Sequence, residues 1–199
     1  MKELIMAVDI GTTGCKSIIF DKNGNQISQG YDEYQSIFLS PTWIDHDPAT
    51  WLNAAKKTIK ESLNKMEYKT ESIAAVSITS QRATFTPVNK KGEHIDNAIL
   101  WQDKRATEET EFIKNEIGEE YIYKYTGLNV DPYFSLPKLL WLKRNKEKTY
   151  NQMYKILTVD AYIINYLTDQ FIIDWTQASR TMLFNLDQLK WDYSLAEKL

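Results

Sequence analysis

The sequence predicts an α/β fold, and three observations carry that expectation. Residues 5–10 and 17–20 are apolar, β-favouring runs on either side of a glycine- and threonine-rich turn. From Pro48 onward, Trp51, Ala55, Ile59, Leu63 and Met66 recur at the spacing of one helix face. Residues 72–79 are a further short apolar run of the kind expected of a buried central strand. A strand, helix, strand succession favours its parallel pairing with the first strands.

Composition narrows the function class. With 199 residues, 43% hydrophobic and 26% charged, the chain has material for one sizeable core, and a single domain over residues 1–199 is expected. The formal net charge is −3 and no basic block exceeds short runs such as Lys143-Arg144, which argues against a nucleic-acid partner. No stretch has the uninterrupted apolar length of a membrane span, and the amino terminus lacks the plan of a signal peptide. A soluble, cytoplasmic protein with no membrane partner is expected. Cys15 is the sole cysteine, so it cannot form an internal disulfide and reads as a small buried hydrophobe.

Taken in order, the first two strands flank Asp9-Ile10-Gly11-Thr12-Thr13-Gly14, and Asn23-Gly24 turns the chain into a third strand over about residues 26–37. Asp47 can cap the following helix with Pro48 in its first position. His46 beside that cap reads as structural. The run at 72–79 leads directly into Gln81 and Arg82. Ligands of open α/β sheets sit beyond the carboxyl ends of strands, so these two side chains are placed to face a cleft. Residues 85–88 and 94–100 suggest a hairpin around Asn89-Lys90-Lys91-Gly92. Thr107 and Ser135 are candidate helix caps, Gly118 and Gly127 candidate helix ends, and Asp160 a cap for a short helix to Leu167. Residues 156–159 and 171–175 read as late strands.

The turn at residues 9–14 concentrates the chemistry. Gly11 and Gly14 can take positive φ, which lets successive backbone N–H groups turn inward around an anion. Thr12 and Thr13 add hydroxyl donors, Lys16 adds a positive charge, and Asp9 could hold a divalent cation through water. A phosphate with its magnesium fits such a turn. A tight hairpin with Asp9 on loop amides is the plain alternative.

This turn resembles the first phosphate loop of the actin, Hsp70 and sugar kinase superfamily. From end to end, the chain resembles the amino-terminal domain of the FGGY carbohydrate kinases, above all the glycerol kinase branch. The resemblance is carried also by Gly92, by Asn97-Ala98-Ile99-Leu100-Trp101-Gln102-Asp103-Lys104-Arg105, by Thr126-Gly127-Leu128, by Asp131-Pro132-Tyr133-Phe134-Ser135 and by residues 178–185. It implies a ribonuclease H-like (actin-like ATPase) domain, a mixed sheet flanked by helices, and a second domain that supplies the adenosine site and the catalytic base. The isolated chain is therefore expected to be inactive.

The reaction implied is transfer of the ATP γ-phosphoryl group to a hydroxyl of a polyol or sugar, glycerol or a ketose such as xylulose. Magnesium would assist, and the full-length enzyme would be a homo-oligomer. The resemblance assigns Asp9 to the metal, through water, and Gly11, Thr12, Thr13 and Lys16 to the phosphoryl group. Arg82, Trp101 and Tyr133 fall to the polyol, with Gln81 beside them. Lys16 stands where glycerol kinases carry arginine, so a point charge replaces a fork. Ala83 stands where they carry glutamate, which removes an acceptor for substrate hydroxyls and leaves room for a larger substrate. An actin- or Hsp70-like ATPase and a non-catalytic sugar or nucleotide sensor are the alternative readings.

Overall fold

A computed structural model describes residues 3–199, which gather into two compact units. One holds the described residues up to Ser36 together with Asp47–Gln81, and the other holds Ile37–His46 and Arg82–Leu199.

In the first unit, strict alternation sets the sheet. β1 (Leu4–Ile10) buries Leu4, Met6, Val8 and Ile10 and turns Ile5 and Asp9 outward. β2 (Gly14–Phe20) pairs with it antiparallel, with Asp9 opposite Lys16, and buries Cys15, Ser17 and Ile19. At the next turn Gly24 takes φ +83, and an Asp21 carboxylate oxygen accepts from the N–H groups of Asn23 and Asn25. β3 (Gln26–Glu33) follows, and it ends at Glu33 rather than running on to Ile37. Ile37 instead opens β4 (Ile37–Ser40), which with β5 (Trp43–His46) belongs to the second unit.

α1 (Pro48–Lys65) starts as the sequence predicts, with the Asp47 carboxylate accepting from Ala49 N at 2.9 Å. Its buried stripe is different: Trp51, Ala54, Ala55, Thr58 and Ser62 are covered, while Ile59 and Leu63 are half-buried. Close approach explains the change. A Cβ built on Gly30 of β3 would lie 2.3 Å from the Thr58 carbonyl oxygen, so helix and sheet meet where only small side chains fit. The hydroxyls caught there are paired, Ser17 with Thr58 at 2.8 Å and Ser28 donating to Ser62 O at 2.7 Å.

β6 (Ile73–Ser80) runs parallel to β1 and completes a sheet of order β3-β2-β1-β6. The parallel pairing is as expected. The strand is not central, however: it forms the sheet edge among the described residues, with Val76 51% exposed. An apolar run does not distinguish centre from edge, because neighbours bury a strand and composition does not supply them.

The second unit has its own five-stranded sheet, order β4-β5-β8-β7-β9, from β7 (Phe85–Val88), β8 (Ala98–Ile99) and β9 (Lys155–Thr158). Its pairings are all antiparallel. The first sheet thus has β6 as its one parallel member among the described residues. The turn after β7 forms as predicted, with Asn89 Oδ1 accepting from Lys91 N and Glu93 N, and Gly92 at φ +78.

The helices of this unit are α2 (Thr107–Glu116), α3 (Glu119–Thr126), α4 (Ser135–Asn145), α5 (Glu147–Gln152), α6 (Val159–Thr168), α7 (Trp175–Ala178) and α8 (Tyr193–Glu197). Gly118, at φ +91, separates α2 from α3, and Gly127 closes α3 at φ +68. Thr107 and Ser135 are not caps. Each sits inside its helix and donates its hydroxyl to a carbonyl, Lys104 O at 2.8 Å and Ala83 O at 3.3 Å. Asp160 likewise lies within the first turn of α6, whose cap position is Thr158.

Residues 171–174 form no strand. Asp174 instead caps α7, accepting from Thr176 N and Gln177 N. Ile113, Ile122, Leu128, Phe134, Leu140 and Met182 form the main core of the unit. His46 is buried, and burial alone lowers its pKa to about 4, so it is neutral at physiological pH. No helix among the described residues is long and apolar enough to cross a membrane.

The α1 contact yields a first prediction. Gly30→Ala should cost about 1–3 kcal/mol by overpacking, read as a lower urea midpoint at unchanged slope. An unchanged midpoint would show that helix and sheet can separate freely at Thr58.

Candidate functional site

The first unit supplies the turn between β1 and β2. Gly11 N donates to Gly14 O at 2.9 Å, which closes it tightly. Neither Gly11 nor Gly14 takes positive φ, contrary to the reading from sequence. Glycine is needed for space instead: a Cβ on Gly14 would lie 2.8 Å from Asp32 O and 3.0 Å from the Tyr31 hydroxyl.

Two side chains brace this turn. Gln81 donates from Nε2 to Gly11 O at 3.2 Å and accepts at Oε1 from Thr12 Oγ1 at 3.3 Å, while its N–H meets Ile10 O. Tyr34 donates its hydroxyl to Gly11 O at 2.7 Å and its N–H to Thr13 O at 3.1 Å. Gln81, expected beside the substrate, is thus engaged with the β1–β2 turn. Tyr34 was missed altogether, because nothing local in its sequence marks it as a partner of Gly11. Asp9 leans out at the end of β1, where partial desolvation raises its carboxyl above the usual range and the Lys16 ammonium opposes that shift.

The second unit supplies an aromatic wall. Trp101 and Tyr133, far apart in sequence, have ring centroids 5.3 Å apart. Trp101 is tied by its N–H to Thr84 Oγ1 at 3.0 Å, and Tyr133 N donates to Asp131 Oδ1 at 2.8 Å. Beyond Tyr133 lies an open cavity of about 410 Å3 lined by Asn129, Asp131, Phe134 and Arg180 among others. Arg180 carries its guanidinium 5.8 Å from the Tyr133 ring and 4.9 Å from that of Phe134.

Arg82 is exposed at the start of this unit. Ala83 beside it is 1% exposed and held at φ +62, so the room expected at its side chain is closed among the described residues. The wall stands on a buried ion cluster. Arg105 donates to Asp103 from Nε (2.9 Å) and Nη2 (2.8 Å) and also to Asp45, with its guanidinium carbon 5.0 Å from the ring centroids of both Trp43 and Trp141. Asp103 accepts in addition from Ile44 N. Burial raises the Asp45 carboxyl, and Arg105 works against that rise.

The sequence model for the FGGY family of carbohydrate kinases, N-terminal domain, matches residues 4–199. The chain belongs to that family. Among curated relatives, glycerol kinase of Thermococcus onnurineus is 38% identical over 99% of this chain, and the match spans 41% of that protein. Among solved structures, gluconate kinase from Lactobacillus acidophilus superposes with a TM-score of 0.91 at 31% identity. It is matched over 98% of this chain and 39% of its own. Plasmodium falciparum glycerol kinase with ADP follows at 0.87 and 26%, matched over 98% of this chain and 40% of its own.

This FGGY chain therefore spans about two fifths of the length of the relatives it matches. Its mixed α/β architecture is that of the actin-like ATPase fold, and the resemblance seen in Asp9–Thr13, Trp101–Arg105 and Asp131–Ser135 reflects true membership. Among the described residues no cluster of three or more acidic, histidine or cysteine side chains could hold a metal ion. The exposed Asp9 carboxylate is an oxygen donor of the kind a magnesium ion takes through water.

The buried cluster yields the second prediction. Arg105→Met should cost about 3–5 kcal/mol, because it takes the guanidinium away from two buried carboxylates. The deficit should shrink as pH falls and Asp45, whose pKa burial already raises, takes up a proton. Equal deficits at pH 5 and pH 8 in urea melts would count against that assignment.

Proposed function

We propose that this chain is the amino-terminal part of an ATP-dependent kinase that phosphorylates a hydroxyl of a small polyol or sugar. The observation that carries the reading is the β1–β2 turn. Its backbone is held from below by Gln81 and Tyr34, while Thr12, Thr13, Lys16 and Asp9 border it. Gly11, Thr12, Thr13 and Lys16 receive the terminal phosphoryl group, with Gln81 keeping the turn rigid. Asp9 orients magnesium through water. Magnesium, when bound, neutralises charge on the phosphoryl oxygens.

In the second unit Arg82 and Tyr133 donate to substrate hydroxyls, and Trp101 gives an apolar face to the carbon chain. Catalysis of this kind is chiefly positioning and charge neutralisation, and no catalytic base is assigned within these residues. The same proposal takes the enzyme as cytoplasmic and homo-oligomeric, without nucleic-acid or membrane partners. The acidic balance supports the absence of a nucleic-acid partner.

The closed position at Ala83 moves the specificity question toward the cavity beyond Tyr133. ADP release by the full-length protein should depend on one member of a panel of glycerol, xylulose and gluconate. Release without any sugar would mark an ATPase, and silence throughout a sensor.

Asp9→Asn should lower turnover on the order of 10²–10³-fold. It should not lower stability at neutral pH. The folded state raises the Asp9 pKa, so the ionised carboxylate is a penalty that is present above that pKa and fades as pH falls toward the unfolded value. Full turnover in the variant would remove Asp9 from the mechanism.

A further inference from the structure

Lys138 lies in the first turn of α4 and is completely buried. Among the described residues its ammonium has one hydrogen-bond partner, the carbonyl oxygen of Tyr133, at 2.7 Å. Structurally this is a poor place for a lysine. Three donors are carried into the interior for one acceptor, and a helix amino terminus already presents positive charge. Asp103, Arg105 and Asp131 are the charged groups that face it, and they pull in opposite directions. A methionine would fill the same volume without these penalties.

The residue held is Tyr133, whose ring meets Trp101 at 5.3 Å and Phe134 at 4.9 Å. Its backbone comes from the short loop before α4, where the Asp131 carboxylate holds its N–H. We propose that Lys138 is a positioning residue for substrate recognition: its ammonium anchors the Tyr133 carbonyl and so fixes the tyrosine against the polyol. The proposal rests on the reading of Tyr133 as a polyol contact.

Its pH consequence has a definite sign. Burial lowers the Lys138 pKa to about 7, with Asp103 and Asp131 raising it and Arg105 lowering it. Below that pH the anchor is a charged donor, and above it a neutral amine that binds the carbonyl less strongly. Carboxylate and guanidinium groups of ordinary kind do not titrate in this range. Stability runs the other way. The fold disfavours the ammonium, so its penalty is full below about pH 7 and fades as pH rises toward the unfolded lysine value.

The test is steady-state kinetics of the full-length enzyme with its best sugar, comparing wild type, Lys138→Met and Tyr133→Phe. Lys138→Met is expected to raise KM for the sugar about tenfold, with kcat within twofold and KM for ATP unchanged. Its melting temperature should match or exceed that of wild type at pH 6. In wild type the sugar KM should rise about fivefold between pH 6 and pH 8.5, and Lys138→Met should lose that inflection.

If Tyr133→Phe raises KM while Lys138→Met does not, the positioning role is overturned and the polyol reading stands. If neither variant moves KM, both fall. Should Lys138→Met not fold, the wild-type profile decides: a sugar KM flat from pH 6 to 8.5 overturns the proposal, and a rise centred near pH 7 upholds it.

Discussion

The second unit depends on Arg105, a guanidinium removed from water, held by Asp103 and Asp45 and packed against the touching indoles of Trp43 and Trp141. Desolvating three charged groups is costly, and the cost is offset only because the fork of Arg105 meets Asp103 through two hydrogen bonds while Asp103 also takes Ile44 N. The result is a staple between β5 and the loop that carries Trp101. Lys104 N to Thr42 O and Leu100 N to Ile44 O reinforce the same seam. A buried ion cluster gives direction where apolar packing would allow sliding, and so fixes the loop that carries Trp101.

The candidate site residues of the two units are held by different physical means. The β1–β2 turn has almost no side-chain bulk, so its shape comes from hydrogen bonds to main-chain carbonyls by Tyr34 and Gln81. Small residues let the backbone itself face an anion. The wall at Trp101 and Tyr133 is shaped instead by ring contacts, with Phe134 and Arg180 packed behind the tyrosine. One surface suits a ligand recognised by charge. The other suits a ligand that shows both hydroxyls and carbon.

Buried polar groups thus serve two ends in this molecule. Ser17, Ser28 and Thr58 are buried because α1 approaches the sheet too closely for larger side chains, and their hydroxyls pair locally. Lys138 has no such packing reason. Its volume could be filled without a charge, and its one hydrogen-bond partner among the described residues is the Tyr133 carbonyl.

Much was determined by the sequence alone. The apolar, β-favouring runs at residues 5–10 and 17–20, Asn23-Gly24 and the Asp47-Pro48 start give the first strands and the start of α1 from local rules, since each element's own residues decide its dihedrals. Asp9, Thr12, Trp101 and Tyr133 stand in motifs long enough to mark the family. Tertiary structure decided what depends on neighbours. It made β6 an edge strand, split off a second antiparallel sheet, replaced Ile59 and Leu63 by Thr58 and Ser62 on the buried face of α1, and gave Gln81 and Tyr34 to the turn. It also closed the space at Ala83 and buried Lys138 under Tyr133. Burial and long-range hydrogen bonding are properties of pairs of distant segments, and a local pattern holds no record of which segment will arrive opposite it.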